Sequence, residues 1–113
     1  MSYDINSERK NSAIIHIYGE DVYKNSEISL YIRDKYNQNL EIGKLKNAQQ
    51  LSFKVNQGNT NFYSLGKSYG SKKNVSIDIK AGNEYCIVYD YSKNAFWGTG
   101  SVFEQRPLSD CKN

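Results

Sequence analysis

The feature that most constrains this chain is an alternation of apolar and polar side chains, interrupted by turn residues about every 8–12 positions. Residues 28–33 and 75–80 show it most clearly, with an apolar residue at every second position. Such alternation is typical of strands that bury one face and expose the other. No segment of the chain shows a convincing helical period. The alternation therefore predicts an all-β protein.

The alternating segments predict eight short strands, at residues 13–18, 28–33, 40–45, 51–56, 62–63, 75–80, 84–91 and 96–104. Turns are predicted at 34–38 and 81–83, and a hairpin turn is predicted at 56–59, which contains Gly58. Half-buried strands at this chain length are covered when two sheets stack face to face. We expect a two-layer antiparallel β-sandwich of about seven or eight strands, with a small β-barrel as the alternative.

Length and composition indicate one globular domain. The chain has 113 residues, 38% of them hydrophobic and 24% charged, which favours a folded chain with one core over a disordered one. We divide it into a polar N-terminal segment (1–12), a sandwich domain (13–106) and a polar C-terminal tail (107–113).

The charge pattern argues against nucleic acid as a partner. The formal net charge is +3, and lysine and arginine are interleaved with acidic residues instead of gathered on one face. No apolar run approaches the roughly 18 residues of a membrane span, so we expect no transmembrane segment. Residues 1–12 lack the apolar stretch of a secretory signal. We expect a periplasmic or outer-membrane-anchored protein if an export signal was removed, and a cytoplasmic one otherwise.

The two cysteines, Cys86 and Cys111, are candidates for a disulfide. Bonding them would close a loop of about 25 residues and stabilise the fold by roughly 3.5 kcal/mol on a chain-entropy model. It would also fasten a polar tail to the strand that carries Cys86. One buried thiol and one incidental tail thiol form the alternative. A disulfide favours an envelope or secreted setting.

No catalytic or metal-binding set is apparent. His16 is the one histidine, and alternation places it opposite Ile15 and Ile17, so we interpret it as a structural or surface residue. A pairing with Cys86 is compatible with the spacing. The chain lacks CxxC and HExxH motifs. We expect no metal, no cofactor and no enzyme. A structure with His16 in a cleft beside Cys86 or a carboxylate would revive the enzyme hypothesis.

The features most typical of a binding site are aromatic. Tyr91 and Trp97 flank a polar turn that contains Asn94, where an exposed ring could anchor a partner or stack on a sugar. Core or cross-strand packing is the alternative, and we favour it for Tyr85 and Tyr89. Tyr91, Asn94 and Trp97 are the predicted binding residues.

Several passages resemble the DUF2846 lipoprotein-like domains, a bacterial family of unknown function similar to PEGA and transthyretin-like sandwiches. The passage ISLYIRDKYNQNLEIGKLKN at 28–47 resembles the family's strand, short turn and IGxLxNG motif, and 51–55 continues the match. VSIDIKAGNEYCIVY at 75–89 resembles its hairpin around AGKTYY. Ala48 replaces a usual glycine, and Gly58 lacks a preceding proline. The likeness implies a β-sandwich, often on secreted or lipid-anchored proteins, without established catalytic residues.

The expected function is therefore non-enzymatic. We expect an envelope-associated domain that binds another protein or supports an assembly through a sheet face or edge. A carbohydrate-binding module that takes cell-wall glycan is one alternative. An immunity or inhibitor protein that blocks a toxin is the other.

Overall fold

The computed structural model describes residues 12–22, 27–64, 74–91 and 102–111. These residues form eight strands and a 3₁₀ turn at Leu108–Asp110. The strands are β1 (Ser12–Asp21), β2 (Glu27–Arg33), β3 (Leu40–Lys46), β4 (Gln50–Asn56), β5 (Gly58–Ser64), β6 (Asn74–Ile79), β7 (Glu84–Asp90) and β8 (Phe103–Arg106). The predicted all-β class is confirmed.

The strands build two four-stranded sheets. The front sheet has the order β4-β1-β7-β8, and the back sheet has the order β3-β2-β5-β6. The predicted sandwich is confirmed, and the barrel alternative is wrong for the described strands because they form two separate open sheets. One detail of the prediction needs correction: β1 and β7 pair in parallel, whereas the other pairs are antiparallel. A parallel pair requires a long crossover, and here the whole back sheet lies between these strands in sequence.

The core lies between the sheets and follows the alternation. On β1, Ile15 and Ile17 are fully buried whereas Ile14 is exposed. Leu30 and Ile32 face them from the back sheet, and both are buried. The remaining core is made by inward residues of the other strands: Ile42, Leu45, Phe53, Val55, Phe62, Ile77, Ile79, Ile87, Tyr89 and Phe103. The predicted burial of Tyr89 is confirmed.

The predicted hairpin at 56–59 is wrong. Strand β4 ends at Asn56 in the front sheet, and β5 begins at Gly58 in the back sheet. Gly58 has a φ of 122°, a conformation open to glycine and strained for other residues. The turn at Gly82 likewise carries the chain from the back sheet to the front sheet. Glycine marks a chain reversal in both places, but each reversal connects strands of different sheets and not neighbours in one sheet.

The last strand also differs from its prediction. It begins at Phe103 and runs to Arg106, two residues past the predicted end. Residues 96–101 of the predicted strand lie outside the described part of the chain. The predicted turn at 34–38 is confirmed, since the Asp34 carboxylate accepts the N–H groups of Tyr36 and Asn37, both at 2.8 Å.

A disulfide fastens the C-terminal tail across the front sheet. Cys86 on β7 is bonded to Cys111, with their Cα atoms 5.8 Å apart, so the predicted pair is confirmed. Cys86 points to the outer side of the sheet, and so does Val88, yet each is at most 2% exposed. Because the tail folds back over β7, these outward residues are buried. The front sheet is thus partly covered on its outer face.

Candidate functional site

The binding residues predicted from the sequence are only partly visible. Tyr91 is half-buried, follows β7 and packs against the core. Asn94 and Trp97 lie outside the described residues. Tyr85 is half-buried, and its hydroxyl accepts the backbone N–H of Lys80 at 2.9 Å. The tyrosines of β7 and its end therefore support the fold, and the sugar-stacking prediction for Asn94 and Trp97 stays a prediction.

The outer face of the back sheet carries a cluster of aromatic rings and an arginine. Tyr31 on β2 and Tyr63 on β5 are direct cross-strand partners, and their rings stack with centroids 5.5 Å apart. The guanidinium of Arg33 lies 4.6 Å from the centroid of the Tyr63 ring. The Tyr63 hydroxyl donates to the side-chain carbonyl of Asn39. We call Tyr31, Arg33, Asn39 and Tyr63 the back-face cluster.

The back-face cluster is held rigidly and remains partly open. Tyr63 is 8% exposed because its neighbours cover it, whereas Arg33 and Asn39 are exposed. Tyr36, in the β2–β3 turn, is 67% exposed, and the Lys35 ammonium lies 5.1 Å from its ring centroid. Cation–π contacts and ring stacking restrain these side chains.

A second constellation lies on the front sheet, around His16. Its Nδ1 lies 2.7 Å from the Ser52 hydroxyl, and its Nε2 lies 2.8 Å from a carboxylate oxygen of Glu84. His16 is the direct register partner of Ser52 on β4 and of Cys86 on β7, and Glu84 lies diagonally across. The three strands thus align a serine, a histidine and a carboxylate.

The proton positions in this constellation follow from its chemistry. An ionised Glu84 can only accept, so Nε2 of His16 carries the proton and donates to it. Nδ1 of a neutral ring is then an acceptor, and the Ser52 hydroxyl donates to it. A carboxylate therefore lies beside His16, which is one part of the arrangement that would revive the enzyme hypothesis, but His16 lines neither of the two depressions that flank this face. The sulfur of Cys86, by contrast, is engaged in the disulfide.

Two depressions flank the outer face of the front sheet. One, of about 410 Å³, is lined by Ser12, Ala13, Ile14, Lys54, Gly82 and Glu84, so it adjoins the His16 constellation through Glu84. The other, of about 380 Å³, is lined by Tyr18, Glu20, Arg106, Ser109 and Asp110. In the second depression, hydrogen bonds to Asp110 and Glu104 raise the pKa of Arg106. The bond to Asp110 also ties β8 to the tail.

Within the described ranges, no three histidine, cysteine or acidic side chains converge as metal ligands. Both clusters were missed by sequence reasoning. Alternation places His16 and Ser52 on outer faces, as it does Tyr31 and Tyr63, but their proximity depends on strand register. The alternation of one segment does not predict which residues of another strand it will pair with.

No protein-family model and no curated protein matches this chain. Its described residues contain no helix with the length and apolar character that a bilayer span requires.

Proposed function

We propose that this chain is a binding domain of the bacterial envelope, and that it holds another protein on the outer face of its back sheet. Binding there requires no catalytic residue. Each sheet has its own role in this proposal. The front sheet anchors the tail through Cys86, and the back sheet presents the back-face cluster to the partner.

The observation that carries the proposal is the back-face cluster. Tyrosine and arginine are enriched among residues that dominate protein–protein binding energy. Tyr31, Arg33 and Tyr63 are already ordered by mutual stacking and by the bond to Asn39. Preordered side chains lose less conformational entropy on binding. The exposed ring of Tyr36 lies in the turn that follows β2, the strand that carries Tyr31 and Arg33.

The envelope setting is supported by the disulfide. Structural disulfides persist in oxidising compartments and are rare where thiols are kept reduced. The likeness of residues 28–47 and 75–89 to DUF2846 lipoprotein-like domains favours the same setting. Both observations concern the compartment.

Site-specific photo-crosslinking in the native cell tests the proposal. A photoreactive amino acid replaces Tyr36, in the turn that follows β2, and in a matched control it replaces Leu108, which is 48% exposed on the tail. We expect one defined protein adduct from position 36 and none from position 108. The substitution Arg33→Ala in the position-36 variant should reduce the adduct at least about tenfold, as for a binding hot spot.

Equal adducts from positions 36 and 108 would contradict the proposal, as would an adduct that survives Arg33→Ala unchanged. The unfolding midpoint of the Arg33→Ala chain serves as the folding control. Arg33 is exposed, so its truncation is expected to leave the fold intact.

A further inference from the structure

The Ser52 hydroxyl has the surroundings of an activated nucleophile. Such a group needs a base within hydrogen-bond reach, and a third group that orients the base. His16 provides the first at 2.7 Å, and Glu84 provides the second at 2.8 Å. In the usual Ser-His-Asp triad, Nε2 faces the serine and Nδ1 faces the carboxylate, whereas here Nδ1 faces Ser52 and Nε2 faces Glu84. A triad is recognised by its contacts and by which group takes the proton, so the exchange of nitrogens does not change the chemistry.

The geometry restrains the base while leaving the nucleophile accessible. The side chain of His16 is 15% exposed, so its ring is held between neighbouring strands. Ser52 is exposed on β4, which is an edge strand of the front sheet. A substrate can therefore approach Ser52 from solvent without displacing His16.

A depression adjoins the constellation on the side of Glu84, and neither Ser52 nor His16 is among its lining residues. Ala13 and Ile14 give it an apolar wall, and the Lys54 side chain lines it. Lys54 follows Ser52 on the same outer face of β4, about 7 Å along the strand. Among the described residues, its ammonium has no hydrogen-bond or ion-pair partner. A positive charge near the reacting carbon stabilises an oxyanion as it develops.

We propose that Ser52 is a nucleophile that cleaves short-chain carboxylic esters, with His16 as general base and Glu84 as its positioning residue. The Ser52 proton passes to Nδ1 of His16 as Oγ bonds to the carbonyl carbon. The alcohol then leaves with that proton. Water attacks the acyl-serine ester, His16 returns one water proton to Oγ, and the carboxylic acid is released.

This inference goes beyond the proposed binding function, because the two sites lie on opposite sheets. The back-face cluster binds without chemistry, and Ser52 reacts without the back sheet. Loss of one leaves the other intact. The photo-crosslink at position 36 and the chemistry at Ser52 are consequently separate measurements.

A fluorophosphonate probe on the full chain tests the nucleophile. We expect a mass adduct at Ser52, formed at least about 100-fold faster than at Ser76, an exposed strand serine that accepts a hydrogen bond from Asn61. Ser52→Ala should abolish the adduct, and Ser76→Ala should leave its rate unchanged. His16→Gln and Glu84→Ala should each slow labelling at least about tenfold. The rate of p-nitrophenyl acetate hydrolysis should fall most in Ser52→Ala, less in His16→Gln and Glu84→Ala, and not at all in Ser76→Ala.

The role of Glu84 has its own spectroscopic readout. The ¹⁵N shifts of the His16 ring report which nitrogen carries the proton, and Glu84→Ala should remove the preference for protonated Nε2. The Glu84 side chain is 51% exposed, so this variant should fold even if His16→Gln does not. Labelling of Ser52 no faster than Ser76 would overturn the proposal, as would wild-type labelling in folded Glu84→Ala.

Discussion

At the scale of single residues, two small residues, Gly19 and Ala48, shape the corner that joins β3 to β4. Gly19 on β1 donates its N–H to Gln49 and accepts the N–H of Ala48. The side chain of Asn47 accepts the N–H of Val22 at 2.8 Å. This corner ties the end of β1 to the link between the sheets, so the local fit there affects both layers.

Gly19→Ala is expected to destabilise the fold. An added Cβ would lie 2.7 Å from the Lys46 carbonyl oxygen and 3.0 Å from a Val22 methyl group. Because the closest atom belongs to the backbone, the corner must shift, at a cost of about 1–3 kcal/mol. Urea denaturation measures the loss. Ser76→Ala, on an exposed face, is the control and should change the free energy of unfolding by less than about 0.5 kcal/mol.

Ala48→Gly is expected to stabilise the fold. Ala48 has a φ of 62°, in the left-handed region, where a Cβ is strained and glycine is not. The expected gain in unfolding free energy is about 0.5–1 kcal/mol. Ala13→Gly in the buried β1 should lose stability, and a loss in Ala48→Gly would show that the turn has another conformation.

At the scale of elements, the tail and β7 form one unit. The disulfide joins them, and Arg106 on β8 bonds Asp110 at 2.9 Å and Glu104 at 2.8 Å. The bonded pair is 25 residues apart in sequence. A crosslink over such a loop restricts the unfolded chain far more than the folded one.

Cys111→Ser is expected to lower the free energy of unfolding by roughly 3 kcal/mol. Reduction of the wild-type chain should give a similar loss, and a reductant should have no further effect on the variant. Denaturation with and without reductant measures both. Equal stability of oxidised and reduced wild-type chains would contradict a structural role for the bond.

The sequence predicts strands well and their pairing poorly. Alternation places β2 and β6 to within one residue, because each strand has one buried face. It does not reveal that β1 pairs with β7, since parallel partners are separated by the whole back sheet. The glycine signal at Gly58 predicts a reversal but not a change of sheet. The sequence does not predict that Ser52, His16 and Glu84 lie together, because their proximity depends on the register of three strands.

At the scale of the whole molecule, stability should fall in strong alkali because of a buried phenol. Burial, and next the nearby Tyr91 and Asp21, raise the pKa of Tyr89 to about 12, against about 10 in the unfolded chain. The unfolded state therefore loses this proton first as pH rises. The stabilising contribution is complete below pH 10 and is lost as pH rises towards 12.

Wild-type protein should lose roughly 1 kcal/mol more than Tyr89→Phe between about pH 9 and pH 11. Denaturation midpoints at the two pH values measure the difference, and the other tyrosines cancel because both chains contain them. Parallel losses in the two chains would show that the Tyr89 phenol is not buried in the folded state.

Under the proposed function, the tail closes the outer face of the front sheet, the back sheet receives a partner, and the compartment keeps the tail bonded through Cys86 and Cys111. Acid quenching of native cells, followed by denaturation and alkylation with a maleimide-polyethylene glycol reagent, tests this most directly. We predict that neither Cys86 nor Cys111 is alkylated unless a reductant is added first, when both are. Alkylation of both thiols without reductant would contradict the fastened tail and the oxidising compartment together.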